Sequence, residues 1–131
     1  MITKTTRPPS LSPILGYRDG PGALAFLEAA FGFDARLVVP GESGTSRHAE
    51  LHLGDSSLLI HSLDTDHPRS DNHSVYLPVD DVDAVHARAV AAGLAVDRPP
   101  TDTDYGSRDF GGRDPEGHIW NVGTYRPGEP T

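Results

Sequence analysis

The sequence has 131 residues, a formal net charge of −8 at pH 7 and no cysteine. This length is typical of one domain with its own core, and without cysteine the chain can form neither disulfides nor thiolate metal sites. Phosphate-backbone binding needs clustered lysine and arginine, so the acidic balance argues against nucleic acid as a partner. No apolar run has the length of a signal peptide or a membrane span. We therefore expect a cytoplasmic protein without a membrane partner.

The first half of the chain predicts the order strand, helix, strand, strand, strand. Residues 13–17 have the pattern of a short strand, and Asp19 precedes a helix that Gly32 ends. One face of this helix carries apolar residues at i, i+3 and i+7, namely Leu24, Leu27 and Phe31. Three further strands are predicted over residues 33–39, 47–53 and 57–63.

The second half predicts the same order again. Residues 75–79 form a strand, and Asp81 can cap a helix that Gly93 ends. The apolar helix positions are again at i, i+3 and i+7, namely Val82, Val85 and Ala89. A strand at 94–97 leads into a loop, rich in Pro and Asp, that reaches Asp104. The last two strands are predicted at residues 105–110 and 118–125, joined by a turn at 114–117.

Equivalent residues of the two halves lie at a nearly constant distance in sequence. Tyr17 and Val79 are 62 residues apart, as are the two helix-capping aspartates, Asp19 and Asp81. The sequence therefore predicts two βαβββ modules, at about 10–63 and 73–126, that complete each other around a shared cavity. Together they form one domain over residues 10–126, between flexible tails at 1–9 and 127–131.

The closing hairpin of each half carries the resemblance to a known family. The segment from Tyr105 to Phe110, followed by Arg113-Asp-Pro-Glu-Gly-His-Ile-Trp-Asn121, resembles the last hairpin of glyoxalase-like proteins. The segment from His48 to Ser56 resembles the matching hairpin of their first module. The chain is thus similar to the vicinal oxygen chelate superfamily, which includes glyoxalases, bleomycin resistance proteins and extradiol dioxygenases. The resemblance implies an α+β fold of cupped mixed sheets with helices outside. It also implies a small-molecule ligand inside the cup and a homodimer, often with a site shared or swapped between modules; whether modules are swapped between subunits stays open.

The same resemblance implies four metal-ligand positions, and this chain fills them unusually. In metal-dependent members a His or Gln opens each module, and a Glu lies on each module's last strand. The corresponding residues here are Ser12, Ser74, Leu59 and Asn121. Serine hydroxyls and a neutral amide are poor ligands for a divalent metal, and leucine offers no donor atom. We therefore expect no metal and no other cofactor, with a divalent metal at a displaced site as the alternative.

A second polar cluster is predicted on the hairpin over residues 47–63. Apolar and polar residues alternate, so the side chains opposite the core should line the cup. A tight turn at Asp55 would place Glu50 opposite His61, and a carboxylate beside an imidazole suits acid–base chemistry. Glu50 and His61 are the candidate catalytic pair. The candidate ligand-binding residues are His48, His52, Leu59, Ser74, Tyr76 and Asn121. The alternatives are a solvated hairpin face or a metal triad of two His and one Glu.

Four other residues lie on or beside the last two strands. Trp120 alternates with Asn121 and is predicted to be core, whereas His118 follows a turn and is expected to be solvated. Arg108 and Asp109 must face opposite sides of their strand, and the sequence does not decide which of them faces the pocket.

Two functions fit this set of residues. The leading hypothesis is a dimeric binding protein of the drug-resistance type that sequesters an antibiotic or other natural product, aromatic or cationic. The alternative is a lyase, isomerase or dioxygenase that uses a displaced metal site, or metal-free acid–base catalysis by Glu50 and His61. A degenerate module for protein–protein contact is a third possibility, since a fold alone does not decide function.

Overall fold

The computed structural model describes residues 10–40, 46–63, 69 and 72–128. The elements of the first module are β1 (Ile14–Tyr17), α1 (Gly20–Phe31), β2 (Asp34–Pro40), β3 (Ser46–Leu53) and β4 (Ser56–Ser62). The elements of the second module are β5 (Ser74–Pro78), α2 (Val82–Ala92), β6 (Ala95–Asp102), β7 (Arg108–Arg113) and β8 (Ile119–Gly123). Residues 1–9, which we predict to be a tail, lie outside the described ranges.

Each module forms its own mixed four-stranded sheet. The strand orders are β1-β4-β3-β2 and β5-β8-β7-β6. The neighbouring strands β1 and β4 run parallel to each other, as do β5 and β8. Leu15 pairs with Ile60 in the first sheet, and Leu77 pairs with Val122 in the second. Both members of the second pair lie 62 residues after their counterparts. The predicted α+β fold of two βαβββ modules is therefore confirmed.

Both helices begin and end as the sequence predicts. The carboxylate of Asp19 accepts a hydrogen bond from the amide of Gly22 at 2.9 Å, and Asp81 caps Ala84 in the same way at 3.1 Å. Each cap satisfies one of the amides that the first helical turn leaves free. Gly32 and Gly93 end the helices with φ of 83° and 115°, a left-handed conformation that favours glycine.

The two modules share a single hydrophobic core. Trp120 is fully buried on the helix-facing side of β8, which confirms the predicted core position. Its ring centroid lies 4.9 Å from that of Phe31 and 6.1 Å from that of Phe33, both in the first module. The helices α1 and α2 also contact each other. One aromatic side chain of the second module therefore packs against the end of α1 in the first.

The turn between β7 and β8 joins the modules through hydrogen bonds. Asp114 is buried and accepts hydrogen bonds from the hydroxyl of Tyr17 at 2.5 Å and the indole N–H of Trp120 at 3.1 Å. Burial, followed by the charge of Asp114, raises the pKa of Tyr17, so its hydroxyl stays a donor. The carboxylate of Glu116 accepts from the backbone amides of Arg18 and Asp19 at 2.7 and 2.8 Å. This turn ties the second sheet to the end of β1.

The prediction that His118 is solvated was wrong. Only 4% of the residue is exposed, and its Nε2 lies 2.7 Å from the carbonyl oxygen of Gly16, to which it donates. Its Nδ1 lies 3.1 Å from Nε2 of His73. The turn folds back onto the first module, so His118 is buried between the two modules and is not exposed to water.

The predicted loop after residue 97 is also incorrect, because β6 continues through Pro99 and Pro100 to Asp102. Its pairing with β7 is irregular between Val96 and Arg98 and again between Arg98 and Thr101. Proline has no N–H and cannot donate a hydrogen bond to a neighbouring strand. The two prolines are tolerated because β6 is an edge strand and they lie in its irregularly paired segment. Within the described ranges, neither helix is long and apolar enough to cross a bilayer.

Candidate ligand-binding faces

Each sheet has one face against its helix and one face opposite, which we call its open face. Strand alternation assigns the side chains. The side chains buried toward the core are Ala49, Leu51, Leu58 and Ile60 in the first sheet, and Phe110, Trp120 and Val122 in the second. The intervening residues lie on the open faces.

The open face of the first module carries the predicted polar cluster. Its members are His48, Glu50, His52, Leu59 and His61, all half-buried. His48 lies directly opposite His61 across the β3–β4 pair, and Gly16 of β1 is paired with His61 on the other side. The alternation of apolar and polar residues in the sequence predicted the correct face for all five side chains.

The predicted cross-strand pairing within this hairpin was wrong by two residues. Glu50 lies opposite Leu59 rather than His61, because Leu53 pairs with Ser56 around a two-residue turn. Gly54 takes a φ of 57° in that turn, which allows it to be this short. A shift of two residues preserves the faces but changes the partners. The carboxylate of Glu50 instead lies 2.8 Å from Nε2 of His52 on the same strand.

The open face of the second module is richer in aromatic and amide groups. Ser74 and Tyr76 of β5 are exposed on it, and Tyr76 is paired with Asn121 of β8. The Tyr76 hydroxyl donates to the carbonyl oxygen of Tyr125 at 2.7 Å. The pKa of Tyr76 is raised above its ordinary value, mainly because the side chain is partly buried. The side chain lies over Gly123, where an added Cβ would be 2.7 Å from the hydroxyl oxygen. Because Gly123 has no Cβ, the side chain of Tyr76 can pack directly against the sheet at this position.

The sequence left open whether Arg108 or Asp109 faces the pocket, and strand pairing now decides it. Asp109 is paired with Gly123 and shares the open face, whereas Arg108 lies on the other side of the strand. The guanidinium of Arg108 bonds Asp83 of α2 and Asp102 of β6 at 3.0–3.1 Å. Asp109 is buried beneath its neighbours and forms an ion pair with Arg98 at 3.1 Å. Sequence reasoning missed Arg98 because it was assigned to a loop.

The donor set at the family's four metal positions does not fit a divalent metal. The pairing places Leu59 beside Ile14 and Asn121 beside Tyr76, so that neither serine is the paired neighbour of these residues. The hydroxyl of Ser12 is hydrogen-bonded to that of Ser57. In the described part of the chain, no group of three or more His, Asp or Glu side chains could hold a metal ion.

The three principal clefts lie away from the middle of the open faces. One of about 250 Å³ lies between the start of α1 and the β7–β8 turn, and one of about 490 Å³ lies between the β3–β4 turn and the end of β5. A third of about 300 Å³ lies at the edge of the second open face, beside His73 and Ser74. None of these three combines residues of both open faces.

Comparison with known proteins identifies the class to which this fold and these faces belong. A family model described as the Glyoxalase/Bleomycin resistance protein/Dioxygenase superfamily matches residues 12–122, and the chain belongs to this family. The resemblance inferred from the two hairpins is thereby confirmed.

Individual relatives agree with this assignment. The crystal structure of TioX from Micromonospora sp. ML1 is 31% identical, with a TM-score of 0.75 over 90% of this chain and 100% of that one. An uncharacterised protein of Mycobacterium tuberculosis strain H37Rv is 30% identical over 125 residues, covering 88% of this chain and 74% of its own length. The fosfomycin resistance protein FosX from Mesorhizobium loti shares the fold, with 20% identity and a TM-score of 0.67 over 97% and 96% of the two chains.

Proposed function

We propose that this protein is a homodimeric small-molecule-binding protein of the drug-resistance type, which sequesters a natural product on its open faces. The observation that carries the proposal is the chemistry of the four family metal positions. Two serines, a leucine and an asparagine replace the donors of the metal-dependent members, while the faces around them keep polar and aromatic side chains. Such a surface can bind and orient a ligand without activating it.

The arrangement of the two sheets supports a site made from two copies of the chain. The helix-covered faces of both sheets contribute to one core, so the open faces lie outside that core. Ile14, Leu37 and Tyr76 expose 60%, 48% and 36% of their surface there. A second copy would cover this apolar area by placing the first open face of one subunit against the second open face of the other. Closed two-fold pairing of this kind is the commonest form of homo-oligomer.

A thermal-shift screen against a natural-product library tests the proposal. A ligand at about 100 times its Kd should stabilise the native protein by about 2.7 kcal/mol. Tyr76→Ala should remove most of that stabilisation, because it takes an aromatic side chain from the second open face. Val90→Ala is the matched control, since Val90 is an exposed apolar residue on α2. No hit in the screen, or hits equally stabilised in both variants, would count against the proposal.

One observation favours a second candidate, a metal-free acid–base enzyme. The 2.8 Å contact between Glu50 and His52 pairs a carboxylate with an imidazole on the first open face. Glu50 can accept a hydrogen bond from His52 and orient its ring, as a general acid–base residue requires. Mass spectrometry of each hit after incubation discriminates the two functions. An unchanged ligand supports sequestration, whereas a product whose formation is lost in Glu50→Gln supports the enzyme.

A further inference from the structure

We propose that Arg98 and Asn121 form a subsite for an uncharged carboxamide group of the ligand. This inference rests on the proposed function, because it places one part of the ligand on the second open face. It goes beyond that function by naming the chemical group that the face recognises.

The two side chains converge over one glycine. Gly111 of β7 is paired with Asn121 on one side and with Arg98 on the other. A Cβ added to Gly111 would lie 3.0 Å from the Asn121 side-chain oxygen and 3.3 Å from Nη1 of Arg98. Both polar groups therefore lie on the same side of the sheet, within reach of one small ligand group. A larger residue at position 111 would push them apart.

Both side chains have hydrogen-bonding capacity to spare. Arg98 uses Nη2 to bond Asp109 at 3.1 Å, and its guanidinium has five N–H donors in all. Its side chain is 48% exposed, so the remaining donors are accessible. Asn121 is half-buried, and among the described residues no hydrogen bond of its amide is recorded. A carboxamide can accept a hydrogen bond from Arg98 through its oxygen and donate one through its NH₂ group to the side-chain oxygen of Asn121.

The charge of the subsite selects an uncharged group. The side chain of Asp109 is 13% exposed, and its carboxylate neutralises the guanidinium of Arg98. The hydroxyl of Tyr105 also donates to this carboxylate, at 3.4 Å. An incoming carboxylate would meet the charge of Asp109, and an incoming ammonium would meet that of Arg98. An uncharged carboxamide forms hydrogen bonds with both side chains without either repulsion.

Aromatic side chains border the subsite. Tyr76 and Tyr105 are 36% and 67% exposed, and Tyr105 reaches Asp109 directly. Rings of this kind pack well against a flat group attached to the carbonyl. An aromatic carboxamide is therefore the simplest probe of the subsite.

The experiment compares three probes that differ only in the polar group: benzamide, benzoate and benzylamine. Each is titrated into the ¹⁵N-labelled full chain while amide and side-chain NH₂ resonances are followed. We expect benzamide to shift Gly111 and the Asn121 side chain. Its affinity should exceed that of the other two probes by about fivefold or more, the effect of one to two hydrogen bonds. Benzoate or benzylamine binding as tightly as benzamide would overturn the subsite.

Variants identify the residues responsible. Arg98→Met and Asn121→Ala should each weaken benzamide binding by about fivefold or more, since the first removes the donor to the benzamide oxygen and the second removes the acceptor for its NH₂ group. Arg36→Met is the matched control, because Arg36 is also on an edge strand and is paired with an aspartate, Asp34, at 2.6 Å. The ¹⁵N spectrum of each variant reports whether it is folded. Equal affinities in the Arg98 and Arg36 variants would overturn the inference.

The outcomes also separate this inference from the proposed function. If the probes shift open-face residues without preferring the carboxamide, the subsite is wrong and the binding face stands. If no probe and no library compound affects either open face of the wild-type chain, the proposed function fails and the subsite fails with it.

Discussion

Trp120→Ala should lower the free energy of unfolding by about 3–5 kcal/mol, the usual effect of truncating a large buried aromatic residue. The indole is fully buried and contacts Phe31 and Phe33 of the other module, so its removal leaves a cavity where the two modules meet. Its N–H also donates to Asp114, which would lose that partner. Since domains are usually stable by about 5–15 kcal/mol, this variant should lose a large fraction of its stability.

Urea unfolding followed by circular dichroism measures this effect. Val90→Ala, an apolar truncation at an exposed position of α2, serves as the control and should change stability by less than about 0.5 kcal/mol. Similar midpoints for the two variants would mean that Trp120 does not join the modules, and the shared core would be wrong.

Asp114→Ala should lower the free energy of unfolding by about 3 kcal/mol or more, because it leaves buried donors without an acceptor. The carboxylate of Asp114 accepts hydrogen bonds from the hydroxyl of Tyr17, the indole N–H of Trp120 and the backbone amides of Glu116 and His118. A methyl group replaces none of these bonds.

Asp114→Asn is the graded control for this prediction. Its amide keeps one carbonyl oxygen and should therefore lose less stability than the alanine variant. The same unfolding experiment measures both. An alanine variant as stable as the wild type would show that the turn does not hold the modules together.

The sequence predicted the modules because several independent signals agree at the same positions. Asp19 and Asp81 can each cap a helix, Gly32 and Gly93 can each end one, and the apolar residues between them recur on one face. Such signals are local, so a single sequence is enough to detect them. Strand alternation likewise assigned the open faces correctly.

The missed features depend on contacts between distant residues. His118 is buried only because the β7–β8 turn reaches Gly16 in the other module. The partner of Glu50 depends on a turn of two residues, and alternation cannot distinguish registers that differ by two. Arg98 was overlooked because prolines beside it favour a loop, although an edge strand tolerates them. The open-face cluster of Arg98, Asp109 and Asn121 is therefore a product of the tertiary structure.

The central claim is a ligand site formed by the first open face of one subunit and the second open face of its partner. A complementation experiment tests it most directly. His61→Ala and Tyr76→Ala chains, each defective in a different face, are unfolded together, refolded, and titrated with the tightest ligand from the thermal-shift screen. Each variant alone should bind poorly. Random pairing makes about half of the dimers mixed, each with one intact site, so about one quarter of the wild-type sites should return. Binding that stays at the level of the separate variants would contradict a shared site.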